Sequence, residues 1–264
     1  MKKTIGTIII AVAMLFVYAP ILILAVYSFT DATTIGAIGG FSVQNYVTLF
    51  TTQSLSEMIW GTVLLALISS ILATLLGTIG AIGSFYSKNK IQALYGTVNQ
   101  IPVVNADVVT AFSLCILLVV VFGVSKDTYI PLVVGHVVLS APFVYLSVIP
   151  KLKQMDPSLY EAALDLGASP SVALGKVIIP QIMSGIASGF AMAITLSLDD
   201  YFIATYTKPA TFDTISTYVV NATRGSQTEI KTALWALSTV IFVIVLAIAI
   251  SMNLSKKNNE GGND

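Results

Sequence analysis

Charged residues are scarce in this chain of 264 residues: only 10% are Asp, Glu, Lys or Arg, whereas 56% are hydrophobic. Soluble domains carry about 25% charged residues, so this composition, with a mean hydropathy of +0.88, excludes an ordinary soluble domain. The formal net charge is zero and like charges form no block, which argues against a nucleic-acid surface or an acidic tail. The composition is that of a membrane protein.

Cysteine and histidine are nearly absent as well. Cys115 is the single cysteine, which excludes an intrachain disulfide and a cysteine metal cluster. His136 is the single histidine, and the sequence contains neither HExxH nor GxSxG, so no catalytic set is expected. The segment 167–176 superficially suggests a phosphate loop, but Pro170 stands where the first glycine of a Walker A motif belongs, and Val177 follows the lysine. We therefore expect neither enzyme activity nor a bound metal or cofactor.

What the sequence does contain is a series of long uncharged stretches. A transmembrane helix needs about 20 mostly apolar residues, and residues 4–30, 58–87, 128–150 and 232–255 meet that length without a charge. Two more runs carry only acids: residues 91–125 contain Asp107, and residues 177–207 contain Asp199 and Asp200. The sequence therefore predicts an all-α polytopic membrane protein of six transmembrane helices, with residues 1–264 as one domain.

The distribution of lysine predicts that both termini are cytoplasmic. The first run is longer than the core of a signal peptide, about 7–15 residues, so it is interpreted as an uncleaved span. Nine basic residues on the inner side against four on the outer side favour this orientation. The inner residues are Lys2, Lys3, Lys88, Lys90, Lys151, Lys153, Lys176, Lys256 and Lys257, and the outer ones are Lys126, Lys208, Arg224 and Lys231. The polar tail, residues 256–264, is expected to be flexible.

The loop between the fourth and fifth spans, residues 151–180, has the cap residues of two short helices. Asp156 is a candidate N-cap with Pro157 at the first helical position, and Gly167 is a candidate C-terminal stop. Ser169 and Pro170 repeat the start signature at once. On spacing alone, an ordinary amphipathic connector and a docking element are equally good interpretations of this helix-turn-helix.

A longer pattern in this loop resembles the EAA loop of ABC importer permeases, which reads EAA, three residues, Gly, nine residues, I-x-L-P. Here EAA occupies residues 161–163, the glycine is Gly167, and VIIP occupies residues 177–180, with Val177 and Ile179 as conservative departures. In that family the loop forms a coupling helix that is seated on the ATP-binding subunit. The resemblance implies this role for Tyr160, Glu161, Ala162, Ala163, Asp165 and Gly167.

The resemblance covers nearly the whole chain, and SLDDYFIA at residues 197–204 makes it most similar to the second permease of spermidine/putrescine importers. It implies the MetI-like fold of a type I ABC importer permease in the cytoplasmic membrane. It also implies three kinds of partner: a second, homologous permease subunit, two copies of an ATP-binding subunit that hold ATP and Mg, and an extracytoplasmic polyamine-binding protein.

The three acids within the predicted spans indicate a cationic cargo. An aspartate at a helix centre costs about 2.5–3.5 kcal/mol on insertion scales, so such acids normally face a cavity or a partner. Carboxylates would offset the desolvation of ammonium groups, and aromatic faces would add cation-π attraction.

A helical wheel places on one stripe of the fifth span Ser188, Met192, Thr195, Asp199, Phe202 and Tyr206. In the third span Gln100, Asp107, Thr110 and Leu114 share a face. The predicted substrate-pathway residues are Asp107, Thr195, Asp199, Asp200, Phe202 and Tyr206.

Several alternatives stay open from the sequence. Each acid could form an interhelical hydrogen bond or salt bridge instead, and for Asp200, which is rotated toward Gly189, that role is as well supported as substrate contact. The cargo could be an amino acid, another organic cation or a metal ion. A stand-alone secondary transporter could use Asp107, His136 and Asp199 as a proton relay. In the outer loop, Tyr218 and Arg224 are candidates for an external gate.

Overall fold

The computed structural model describes residues 2–34, 36–37, 39–156, 158–224, 232–243 and 246. Predictions on Pro157, Lys231, the tail 256–264 and most of residues 244–255 lie outside the described residues, as do the side chains of Lys2, Lys3 and Arg224.

Helices account for the described elements of regular structure. In chain order they are α1 (Lys2–Ser28), α2 (Gln44–Thr51), α3 (Gln53–Phe85), α4 (Asn89–Val104), α5 (Asp107–Cys115), α6 (Ile130–Gln154), α7 (Ser158–Asp165), α8 (Pro170–Ala173), α9 (Ile179–Asp199), α10 (Phe202–Thr207) and α11 (Ile215–Arg224). A π-helical turn, Ile116–Val121, extends α5, and a second one, Leu174–Ile178, joins α8 to α9.

Four of the described helical segments are long and apolar enough to cross a membrane, namely Gly6–Ser28, Gln53–Phe85, Ile130–Gln154 and Pro170–Asp199. The bent pair Asn89–Val104 and Asp107–Val121 would make a fifth span. The last predicted run, residues 232–255, is described as a shorter apolar helix over Thr232–Val243. A multi-pass, all-α protein is confirmed, with four or five spans among the described residues.

The third predicted span is bent, so the prediction that Gln100, Asp107, Thr110 and Leu114 share one helix face was wrong. The chain bends by 103° between α4 and α5. Pro102 removes a backbone donor from the last turn of α4, and Asn105 is extended, with its side chain donating to Thr110 Oγ1 at 2.9 Å. Because Gln100 lies before the bend and Asp107 after it, the two residues do not share a helix face.

The chain divides into two compact units, Met1–Glu57 with Val219–Asp264, and Met58–Tyr218. Within the first unit, the Asn45 side chain donates to the carbonyl oxygens of Ser28 at 3.1 Å and Thr30 at 3.0 Å, which ties α2 to the end of α1. The ring of Tyr27 lies edge-on to that of Trp235, with centroids 5.7 Å apart. The candidate functional residues lie mainly in the second unit.

Helix α6 forms the centre of the second unit, and α9 packs closely along it. A Cβ built on Gly185 would lie 2.9 Å from the carbonyl oxygen of Ser147, and one on Gly189 would lie 3.1 Å from the Cα of Val144. At these distances only glycine allows the two backbones to approach. The GxxxG pattern in the predicted fifth span therefore serves helix packing, as the sequence indicated.

Candidate coupling and substrate-pathway site

The start of α7 is fixed by Asp156. Its carboxylate Oδ1 accepts hydrogen bonds from the backbone N–H of Ser158 at 2.9 Å and from the Ser158 hydroxyl at 2.7 Å. An N-cap aspartate makes such bonds to the otherwise unsatisfied donors of a first helical turn. The bonds from Ser158 stabilise the ionised form and hold the pKa of Asp156 below its ordinary value. The N-cap prediction for Asp156 is thereby confirmed.

The end of α7 is a Schellman motif centred on Gly167. The N–H of Ala168 donates to the carbonyl of Ala163 at 3.0 Å, and the N–H of Gly167 donates to that of Leu164 at 2.9 Å. Gly167 has φ +84°, a left-handed conformation that residues with a Cβ adopt at a cost. The predicted helix stop is therefore confirmed, and α7 is a short helix with both ends defined.

The second helix of the loop begins where predicted, at Pro170, but Ser169 does not cap it through its side chain. The Ser169 backbone is extended, and its hydroxyl lies 3.2 Å from that of Ser171. The helix then continues through the π-helical turn into α9, which carries Pro180 in its first turn. A π-helical turn next to a proline is a usual response to the missing N–H and the ring's crowding of the preceding turn.

Helix α7 has one exposed face and one anchored face. Glu161, Ala162 and Asp165 are exposed, and Leu166, just after the helix, has an exposed fraction of 89%. Tyr160 is half-buried, and its ring lies 5.1 Å from that of Tyr86, the residue after α3. Helix α7 therefore has an exposed face with acidic and apolar side chains, and its opposite face packs against the bundle. Such a short helix is suited to docking on another protein.

The polar stripe predicted for the fifth span lies on the open side of α9. Its four members on this helix are all exposed: Ser188, Met192, Thr195 and Asp199. The opposite side is buried against the bundle: Gly185, Gly189, Ala193 and Ser197. Among the described residues no hydrogen bond or ion pair is found for the Asp199 carboxylate. Hydroxyls and a carboxylate on one face of an apolar, span-length helix are poorly suited to lipid, so this face is expected to meet a polar cavity or a second subunit.

The predicted fifth span ends earlier than expected. Helix α9 stops at Asp199, and the separate helix α10 begins at Phe202, two residues after Asp200. The Asp200 carboxylate accepts hydrogen bonds from the N–H groups of Ile203 at 3.1 Å and Ala204 at 2.7 Å. Asp200 is buried, with 8% of its surface exposed, and its side chain caps the first turn of α10 from the position before Tyr201. Phe202 and Tyr206 consequently lie on α10. The prediction that they share one helical stripe with the four residues of α9 was therefore wrong.

His136 of α6 faces Asp200 inside the second unit. Its Nδ1 lies 2.8 Å from the carbonyl oxygen of Leu132, and its Nε2 lies 3.7 Å from Asp200 Oδ2. Because a carbonyl only accepts, Nδ1 carries a proton, and the contact through Nε2 is attractive only when the pair binds a further proton. His136 has no exposed surface and joins α6 to α10.

Two further pathway candidates lie around α10. Asp107 is exposed in the first turn of α5, and α5 packs against α10. The ring of Tyr206 lies 5.8 Å from that of Phe112 in an edge-on arrangement. The structure therefore places Asp107 on a helix that packs against α10, and Tyr206 lies between these two helices.

The candidate gate residues lie on α11. Tyr218 is half-buried, and burial, followed by the nearby Asp213 carboxylate, raises its pKa. Arg224 ends the helix. The preceding loop is held by Lys208, which donates to the carbonyl oxygen of Phe212 at 2.7 Å and pairs with Asp213 at 3.0 Å. An outer-gate role for Tyr218 and Arg224 stays a prediction.

Four structural features were not predicted from the sequence. The cap role of Asp200 had a signal, since an acid stands three residues before Ile203 in an apolar run, and so did the break at Asn105 and Asp107, two helix-boundary residues after a proline. The contacts of His136 with Asp200 and of Tyr86 with Tyr160 had none, because each joins residues distant in sequence.

Comparisons with known proteins agree with this architecture. The family of binding-protein-dependent transport system inner membrane components matches residues 74–260. The spermidine/putrescine transport system permease protein PotC of Escherichia coli (strain K12) is 27% identical over 249 residues, covering 94% of this chain and 92% of its own length. The putrescine transport system permease protein PotI of the same strain is 31% identical over 236 residues, covering 86% and 81%.

A solved structure supports the fold. A chain of a bacterial ABC transporter involved in the import of the acidic polysaccharide alginate has a TM-score of 0.70 and 19% sequence identity, covering 95% of this chain and 94% of that one. At that identity the likeness concerns the fold alone, and it confirms the predicted permease architecture.

Proposed function

The chain belongs to the family of binding-protein-dependent transport system inner membrane components, and on that premise we propose that it is one permease subunit of an ATP-driven importer of polyamines. Cargo enters from an extracytoplasmic binding protein, passes between this chain and a second, homologous permease, and leaves into the cytoplasm. Two ATP-binding subunits supply the energy, and this chain itself hydrolyses nothing. Both termini then lie in the cytoplasm.

The observation that carries the proposal is α7, a helix capped at both ends whose outer face is exposed. Its start is fixed by Asp156 and its end by the Schellman turn at Gly167, so both ends are set by residues of the loop itself. Glu161 and Asp165 on the exposed face offer carboxylates, and Leu166 offers an apolar side chain. These properties suit a rigid helix that a separate subunit can bind and displace.

The cargo class follows from the open face of α9 and from the relatives. Proteins that transport spermidine and putrescine are similar to this chain over most of its length. Asp199 is an exposed carboxylate without a protein partner among the described residues, and Thr195 lies one helical turn before it. A polyamine carries several separated ammonium groups, and a carboxylate in a cavity of low dielectric offsets the cost of desolvating one of them. Phe202, 39% exposed, supplies an aromatic face at the start of α10.

The test is transport in proteoliposomes that contain the complex purified through this chain. We expect labelled spermidine to enter only when both ATP and the extracytoplasmic binding protein are supplied. Competition by unlabelled putrescine, an amino acid or a divalent metal ion identifies the cargo. Uptake by the chain alone, driven by a proton gradient without an ATPase, would overturn the proposal in favour of a secondary transporter.

A further inference from the structure

A pair of tyrosines connects the coupling helix to a membrane span that is not its neighbour in sequence. Tyr160 lies on the inner side of α7, and Tyr86 follows the last residue of α3. Their ring centroids are 5.1 Å apart with the planes tilted by 44°, and the ring of Phe85 lies edge-on to Tyr86 at 5.1 Å. Aromatic pairs at this separation attract beyond their buried area.

The surroundings of the pair differ on its two sides. Tyr160 packs against the hydrophobic cluster of the second unit, together with Leu174 and Val177 of the π-helical turn. Tyr86 is 43% exposed, and burial of the remainder, with Tyr160 as the second cause, raises its pKa. The contact is therefore a bridge at the edge of the bundle, where α3 ends.

Helix α3 is in turn attached to the centre of the unit. The Ser84 hydroxyl lies 3.1 Å from that of Tyr145 on α6, and a Cβ built on Gly77 would lie 2.7 Å from the carbonyl oxygen of Ala141. A displacement of α7 thus reaches α6 and α9 through the chain itself, and the tyrosine contact gives it a direct route to the end of α3.

Resting on the proposed function, we infer that Tyr86 and Tyr160 form an aromatic joint that makes α3 move together with the coupling helix. The Tyr160 ring packs on the bundle and on Tyr86, away from the exposed residues Glu161, Ala162 and Asp165, so both tyrosines are positioning residues. Their loss uncouples α3 from ATP hydrolysis without preventing assembly. The joint acts as a rigid connection, and its two rings keep their contact through the transport cycle.

The experiment measures spermidine transported per ATP hydrolysed in proteoliposomes. We expect Tyr86→Leu to lower this ratio about two- to tenfold, the range that corresponds to one lost aromatic pair, while Tyr86→Phe keeps it. Combining Tyr86→Leu with Tyr160→Leu should lower it no further. The matched control is Tyr129→Leu, since the Tyr129 ring lies 5.3 Å from that of Phe212 and is 55% exposed. An unchanged ratio in Tyr86→Leu, or an equal loss in Tyr129→Leu, overturns the joint.

A cross-link tests the same inference without removing side-chain volume. In a Cys115→Ser background, Tyr86→Cys and Tyr160→Cys are joined by a short bifunctional thiol reagent. A rigid joint predicts that the cross-linked complex still transports, whereas arrest shows that α7 must slide past α3 and overturns the inference. If the uncross-linked wild type shows no ATP-driven uptake at all, the proposed function has failed instead.

Discussion

Substitutions at two adjacent aspartates, Asp199 and Asp200, can test a structural role and a cargo-binding role separately. Asp200 is buried and caps α10 with two hydrogen bonds, whereas Asp199 is exposed on α9. Asp200→Ala leaves two donors without acceptors. At about 1–3 kcal/mol each, tempered by N-cap losses of about 0.5–2 kcal/mol, this predicts a loss of about 2–4 kcal/mol in the free energy of unfolding.

A substitution at Asp199 should reduce uptake and leave the stability of the chain nearly unchanged. Asp199→Asn removes a surface charge, so stability should change by no more than about 0.5 kcal/mol. If Asp199 faces a polyamine ammonium group, losing a contribution of about 1.4 kcal/mol weakens its interaction about tenfold. We therefore expect spermidine uptake at low concentration to fall by about that factor.

Both quantities are measured on the same preparations, thermal unfolding of the purified complex and uptake after reconstitution. Asp200→Asn, which keeps one carbonyl oxygen as an acceptor, should fall between wild type and Asp200→Ala in stability. Wild-type stability in Asp200→Ala would contradict its capping role, and a wild-type rate of spermidine uptake in Asp199→Asn would contradict its contact with cargo.

Four further predictions follow from local geometry. Gly167→Ala places a Cβ on a residue with φ +84°, so the folded form of α7 should be destabilised by about 1–2 kcal/mol. This should be measurable as faster hydrogen exchange at its last turn. Gly185→Val should lower the melting temperature, because overpacking against Ser147 costs about 1–3 kcal/mol; Gly175→Val, with nothing within 4 Å of a Cβ, is the control. Asp156→Ala should speed exchange in the first turn of α7. The depressed pKa of Asp156 means that its capping is present above its ordinary value of 3.8 and is lost as the pH falls through the lower folded value. Glu161→Arg should reduce recovery of an ATP-binding subunit in pull-downs without changing the helical content of the chain.

Local chemistry explains why the helix ends in the loop 151–180 were predictable. The cap at Asp156 and the left-handed Gly167 depend on residues within one turn of each helix end, so their effects can be inferred from a short window of sequence. Hydropathy likewise identified the long helices, because a span must satisfy its backbone polar groups internally and keep charges out.

The breaks at Asn105 and Asp200 were missed because an uncharged run does not distinguish a continuous span from two helices that meet. At both breaks a polar side chain forms hydrogen bonds with backbone or hydroxyl groups beside the interruption. The length of each apolar run nevertheless favoured one continuous helix. The contacts of His136 with Asp200 and of Tyr86 with Tyr160 depend on how helices distant in sequence pack. No periodicity within one helix contains that information.

The most direct test of the account is to identify what lies against the exposed face of α7. A photoreactive cross-linker attached to Glu161→Cys in a Cys115→Ser background, activated in native membranes, should capture an ATP-binding subunit, and the same probe at Lys126→Cys should not. Capture of the same ATPase from both positions, or of no ATPase from position 161 in a complex that still transports, would contradict the claim that α7 is the lever driven by a separate motor.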